Sequence, residues 1–172
     1  MPLRFVWVRH STKKSLEEVK RILEQFKPQV VGLELSKSSF EKLEQYKKRG
    51  KSELYYGYQF SKLNGAELLF LDSEKIINEA IQKLRITKIF QLIFLFLMSN
   101  LIRLFTGKRL QKLQVRNSPI LKHYILEKRN QEFIKGIRNA KDKYPKKRIL
   151  FIFGRAHKQG IMKGLESSYN HA

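Results

Sequence analysis

Four short apolar runs punctuate the chain, and each ends on or beside an ionisable residue. Leu3 to Val8 leads to His10, Gln29 to Leu33 leads to Glu34, Leu68 to Leu71 leads to Asp72, and Ile149 to Phe153 leads through Gly154 to His157. Short apolar runs without helical spacing read as strands, and an unbroken run such as Ile149 to Phe153 reads as a strand covered on both faces. Gly154 then allows a sharp turn or a close approach to a ligand.

Between these runs the spacing becomes helical. Leu16, Val19, Leu23 and Phe26 share one helical face before Pro28, and Ser15 with Glu18 three residues later matches a capping box. Residues 3 to 35 therefore predict a strand, helix, strand unit with a crossover. Phe40, Leu43 and Tyr46 mark a second helix that stops at Gly50. The segment from Glu53 to Phe60 has strand-like aromatics, but Leu54, Gly57 and Tyr58, with a stop at Asn64-Gly65, favour a helix. Asp72-Ser73 is placed to cap a further helix bearing Ile76, Ile77, Ala80, Ile81 and Leu84.

Ile86 to Phe105 is the most apolar segment. Its 14 uncharged residues between Lys88 and Arg103 fall short of the roughly 18 to 20 that a spanning helix needs. A buried or cleft-covering helix is the favoured reading, ahead of an interfacial one. A basic stretch, Lys108 to Arg116, follows as a short helix. Ser118-Pro119 then starts a helix whose inward face carries Ile120, Leu121, Tyr124, Ile125, Phe133, Ile134 and Ile137. Arg129 and Asn130 fall on that same stripe, where polar groups are costly without partners. Arg129 is read either as half of a structural ion pair or as a cleft arginine that orients a ligand.

This order of elements predicts an α/β fold: one domain over residues 1–172, a central, mostly parallel sheet of at least four strands flanked by helices, and a helical insertion over about 73–145. Parallel strands would deliver His10, Glu34, Asp72 and His157 to one carboxyl edge, the edge where open parallel sheets bind ligands.

Charge and cysteine content narrow the chemistry. The chain has 36 Lys and Arg against 15 Asp and Glu, a net charge of +21. Such a balance suits anionic surroundings, whether phosphate, nucleic acid or the lipid headgroups of a membrane surface, with a solvated lysine-rich face as the favoured reading ahead of specific polyanion binding. No ordered aromatic and basic motif supports nucleic acid, so that partner rests on charge alone. With no cysteine, disulfides, thiolate ligands and a cysteine nucleophile are excluded. The N-terminal residues read as a first strand and not as a signal peptide, so the expected location is the cytoplasm, with peripheral membrane contact through basic faces. No Gly-x-Ser-x-Gly elbow is present to support a serine nucleophile. Two histidines and two or three carboxylates at one rim can hold a divalent cation with an open position, which makes metal-assisted hydrolysis the reaction class to test.

The same residues resemble the TraB/PrgY/Tiki family of pheromone-shutdown proteins and Wnt-cleaving peptidases. Phe5-Val-Trp-Val-Arg-His10 is similar to the family's first Gly-x-x-His strand, and Val30-Val-Gly-Leu-Glu34-Leu to its strand ending in Glu-Leu. Glu53-Leu54 falls at a Gly-x-Glu helix start, Leu71-Asp72 at the Asp-Arg block, and Arg129-Asn130 at the Arg-Asn helix. Gly154-Arg-Ala-His157-Lys-Gln-Gly160-Ile resembles the second Gly-x-x-His block. The resemblance implies an EreA/ChaN-like fold and a metal-dependent hydrolase of peptides or other small substrates, using manganese, cobalt or zinc. By it His10, Glu34 and His157 are metal ligands, Glu53 is a further ligand or base, and Arg129 and Asn130 have supporting catalytic roles. Asp72 and Gly154 are further motif positions. The chain departs from the pattern at Trp7, Ser36 to Ser39, Ser73 and Lys128. The rival expectation is therefore a degenerate member that binds anionic surfaces without cleaving.

Overall fold

In the computed structural model, which describes residues 2–10, 12–39, 53–83 and 123–167, all four apolar runs are strands of one parallel sheet. These are β1 (Leu3–Val8), β2 (Val30–Leu33), β3 (Glu67–Phe70) and β4 (Ile149–Gly154). Their spatial order is β1-β4-β2-β3. The last strand in sequence thus sits between the first two, with Val8 beside Gly154 and Leu33 beside Ile152. The third strand lies one step farther out, beside β2.

The chain divides into two compact units. The first contains Met1–Ser73 and Asn130–Ala172, and the second is Glu74–Arg129. In the first, the alternation along β4 sorts the core into two layers. Leu150 and Ile152 pack with Val6, Val8, Val31 and Leu33 against Val19, Leu23 and Phe26 of α1 (Lys13–Phe26) and Leu54 of α2 (Glu53–Asn64). Ile149, Phe151 and Phe153 face the other way, against Phe133, Ile137 and Ala140 of the helix Arg129–Lys143 and Ile161 of the helix Lys158–Glu166. Every residue of β4 is buried, as an unbroken apolar run requires when helices cover both faces. In the second unit, α3 (Glu74–Lys83) packs with a six-residue π-helical stretch, His123–Lys128, and Lys128 Nζ lies 3.1 Å from Glu79 Oε2. The two C-terminal helices are α4 (Arg129–Lys143) and α5 (Lys158–Glu166).

Several boundaries differ from the sequence reading. The N-cap of α1 is Thr12, not Ser15: Thr12 is extended, and its hydroxyl accepts the Ser15 N–H at 3.3 Å. Ser15 stands inside the first turn, where its Oγ accepts the Arg9 N–H at 3.0 Å. Capping therefore occurs three residues earlier, where the chain leaves β1. β3 begins at Glu67 and ends before Leu71, whose N–H bonds Leu33 O at 3.0 Å. As expected, the segment from Glu53 is a helix, α2, and its stop lies at Gly65, which takes the left-handed φ of 64°. The helix expected around Phe40 to Tyr46, the segments Ile86 to Phe105 and Lys108 to Arg116, and the Ser118-Pro119 start lie outside the described residues. Among the described residues no helix is long and apolar enough to cross a membrane.

At the amino edge of the sheet, Glu67 of the outer strand accepts a hydrogen bond from the buried Tyr144 hydroxyl, and Lys143 and Lys147 lie 3.3 and 3.6 Å from its oxygens. The Tyr144 bond first, then the two lysines, hold the Glu67 carboxyl below its usual range against the opposing effect of burial. A lowered folded pKa contributes stability above the unfolded value, about 4.3 for glutamate, and that contribution disappears as pH falls through the folded value. Tyr144→Phe should therefore lower the Tm most at neutral pH, with the gap to wild type closing below about pH 4. A gap that stays constant from neutral to acid pH in thermal melts would remove Glu67 from the explanation.

Candidate active site

Because β4 lies between β1 and β2, the three loops that leave those strands emerge side by side at the carboxyl edge. They carry His10, Glu34 and His157, and the three side chains meet. The centre of the cluster is Glu34, buried at 8 % exposure just past β2. Its Oε2 accepts the Gly154 N–H at 2.5 Å and lies 3.9 Å from His10 Nε2. Its Oε1 lies 3.2 Å from His157 Nε2.

Each imidazole is held from behind by a second side chain. His10 Nδ1 lies 2.5 Å from Oε1 of Glu53, which is 1 % exposed in the first turn of α2. His157 Nδ1 lies 2.7 Å from Asn130 Oδ1. With Nδ1–H donated to those oxygens, each ring turns its Nε2 towards Glu34. Fixing one ring nitrogen in this way sets the tautomer and orientation of the other. Phe133, one helical turn after Asn130, meets the His157 ring edge-on at 5.1 Å between centroids. The two residues together hold the imidazole between a polar and an aromatic contact.

The loop geometry is local in origin. The turn before α1 is closed by the Thr12 hydroxyl, 3.0 Å from Arg9 O, and by the Arg9 N–H on Ser15. After β2, Ser36 is buried and its Oγ accepts the Ser39 N–H at 3.1 Å, so it caps the helical turn that follows. After β4, residues Arg155–His157 form one 3-10 turn before α5. Two glycines leave the space the cluster occupies. A Cβ on Gly154 would lie 2.7 Å from His10 Nε2 and 3.1 Å from Glu34 Oε2, and one on Gly160 would lie 2.0 Å from Asn130 Nδ2. Both glycines are required by close approach, since Gly154 itself has an ordinary extended backbone.

The sequence-predicted residues thus divide into two groups. His10, Glu34, Glu53, Asn130, Gly154 and His157 meet in one cluster. Asp72 leaves the outer strand β3, one position away from the central three. It is half-buried, its Oδ1 accepts the Ser73 N–H at 2.9 Å, and its own N–H bonds Leu35 O. Arg129 belongs to the second unit and is half-buried. Glu53 stands behind His10, on the ring nitrogen that faces away from Glu34. Three contributors were not singled out from sequence: Thr12, Phe133 and the spacing role of Gly160. The signal for Phe133 was its position one turn from Asn130 on the same stripe.

Among the described residues no three His, Cys, Asp or Glu side chains already form a closed cation cage. Donors around one cation at about 2.1 Å in a tetrahedron lie about 3.4 Å apart. The His157 to Glu34 separation of 3.2 Å meets that spacing and the His10 to Glu34 separation of 3.9 Å is wider. His10 is also the more exposed partner, at 46 % against 4 % for the His157 side chain. The donor chemistry suits a cation: two imidazole nitrogens and one carboxylate turned towards each other, each fixed by a further hydrogen bond. Comparison with protein-family models, curated proteins and solved structures finds no match for this chain.

Proposed function

We propose that this chain is a divalent-metal-dependent hydrolase acting on peptides, with His10, Glu34 and His157 as the donors to the cation. One observation carries the reading. His157 commits its Nδ1–H to Asn130 and presents Nε2 to Glu34 Oε1 at 3.2 Å. A neutral ring in that tautomer offers a lone pair, and a carboxylate offers only lone pairs. Two acceptors at this distance repel unless positive charge stands with them, either a proton on the imidazole or a bound cation. The second imidazole, with Nε2 3.9 Å from the other oxygen of the same carboxylate and Nδ1 backed by Glu53, favours the cation, because one cation can serve both rings where each would otherwise need its own proton.

When bound, a manganese, cobalt or zinc ion would lower the pKa of a water and polarise a carbonyl. The chain's own residues do the positioning. The Gly154 N–H fixes Glu34, Asn130 fixes His157 and Glu53 fixes His10. His10 lies on the solvent side, so the open face of the centre is beside it. Peptides as substrates follow from the TraB/PrgY/Tiki resemblance. In this reading the enzyme works in the cytoplasm, and its lysine-rich faces are available for peripheral contact with anionic membrane.

The test is a chelation and restoration series on the full chain with a mixed peptide pool read by mass spectrometry. Cleavage should cease after chelation and return with manganese or cobalt. Cleavage that persists unchanged in excess chelator, or no cleavage with any of the three metals, would remove the hydrolase reading.

A further inference from the structure

We infer that the mouth of this centre selects acidic peptides, through a set of cations on the three loops that carry His10, Glu34 and His157 and on the helix starts that follow them. The inference rests on the hydrolase reading for its substrate class and adds the charge of that substrate. In the segments 9–14, 35–39 and 155–158 there is no Asp or Glu, and every charged side chain other than the two histidines is a cation: Arg9, Lys13, Lys14, Lys37, Arg155 and Lys158. All six are exposed. Among the described residues the only ion pair these six side chains make is Lys13 with Glu17 at 3.8 Å, and exposed pairs of this kind contribute little. The two site carboxylates, Glu34 and Glu53, are buried and face the imidazoles. The three segments are therefore uniformly positive around the centre, and Asp72, whose N–H bonds Leu35 O, is a half-buried carboxylate at the same edge outside them.

The form of the set decides what it suits. A single phosphoryl group is bound by cations, guanidinium forks above all, that converge on one point. Here four of six cations are lysines, point charges on flexible stems, and they are spread over three loops and the helix starts that follow. Such an arrangement attracts negative charge distributed along an extended ligand and raises its rate of encounter. A peptide with several Asp or Glu residues flanking the bond at the centre fits that distribution.

Net charge alone would attract any anion to any face, so the test compares two faces of the same molecule. Fluorescence anisotropy would measure binding of labelled acidic, neutral and basic peptides of equal length to the metal-free full chain, where turnover plays no part. One variant carries Lys37→Glu, Arg155→Glu and Lys158→Glu at the rim. The other carries Lys27→Glu, Lys62→Glu and Lys146→Glu, three exposed residues near the amino edge of the sheet. Both triples change the net charge equally. The expected result is tightest binding of the acidic peptide to wild type, weakened by about tenfold or more in the rim triple and by less than about threefold in the other. Equal weakening in the two triples, or no preference among the peptides, would overturn the inference. Tighter binding of an equally charged oligonucleotide than of the acidic peptide would also overturn it. Manganese-restored cleavage that shows no charge preference would sink the rim and leave the hydrolase reading intact. Acidic-peptide binding lost only in the rim triple, without metal-restored cleavage, would support the rim and remove the hydrolase.

Discussion

Glu34→Gln should abolish divalent-cation binding while leaving the metal-free protein as stable as wild type or more so. Both effects come from the hydrogen bonds of the side chain. Glutamine keeps one oxygen, which can still accept the Gly154 N–H that Glu34 Oε2 now accepts at 2.5 Å. Its amide nitrogen would face His157 Nε2, now 3.2 Å from Oε1, and can donate to that lone pair. An acceptor–acceptor contact becomes a hydrogen bond, and no charge at position 34 remains to be balanced. The same substitution removes the anionic donor. Affinity for manganese should fall by more than the roughly 10- to 100-fold that loss of a supporting group alone produces. Glu34→Ala would be a poorer experiment, because an unsatisfied buried Gly154 N–H costs about 1–3 kcal/mol. Urea melts with and without manganese separate the two effects. Retained metal affinity in Glu34→Gln would take the carboxylate out of the centre. A large loss of metal-free stability would mean that its ionised form is needed for folding.

Gly154→Ala should empty the centre of His10. The added methyl would stand 2.7 Å from His10 Nε2 and 3.1 Å from Glu34 Oε2, so one of them must give way. Glu34 is buried and tied to the backbone, whereas the His10 side chain is 46 % exposed and can swing into solvent. Moving it separates Nδ1 from Glu53, a carboxylate at 1 % exposure. Losing a hydrogen bond to a buried charged group costs about 1.5–3 kcal/mol, and the half-exposed partner places this case towards the lower end. Adding Glu53→Gln should recover most of that loss, because the residue left behind is then neutral. It should not recover cation binding. A Gly154→Ala protein with wild-type stability and wild-type metal affinity would show that the three loops are looser than the distances in the cluster imply.

Much of this arrangement is legible in the residues themselves. The unbroken run Ile149 to Phe153 requires cover on both faces and receives it from α1 and α2 on one side and α4 and α5 on the other. Strand ends at His10, Glu34 and His157 follow from where the apolar runs stop. Strand order does not follow, because a period of two sets faces and not neighbours. It is the insertion of β4 between β1 and β2 that unites those three residues and sets Asp72 one strand away. Spacing likewise puts Arg129 and Asn130 on one stripe without ranking them. The ranking comes from Gly160, which leaves room for the Asn130 amide beside His157. The displaced cap of α1 has a similar cause. Ser15 and Glu18 carry the pattern of a cap, but the chain turns into its helix earlier, at Thr12, and Ser15 is used to hold the loop before His10.

The hydrolase reading depends on two imidazoles serving one cation. Calorimetric titration of the metal-free full chain with manganese tests that most directly, with His10→Ala and His157→Ala measured alongside wild type and their folding checked by circular dichroism. The expected result is one binding event per wild-type chain, absent from each folded variant. Equal manganese affinity in all three proteins would contradict it.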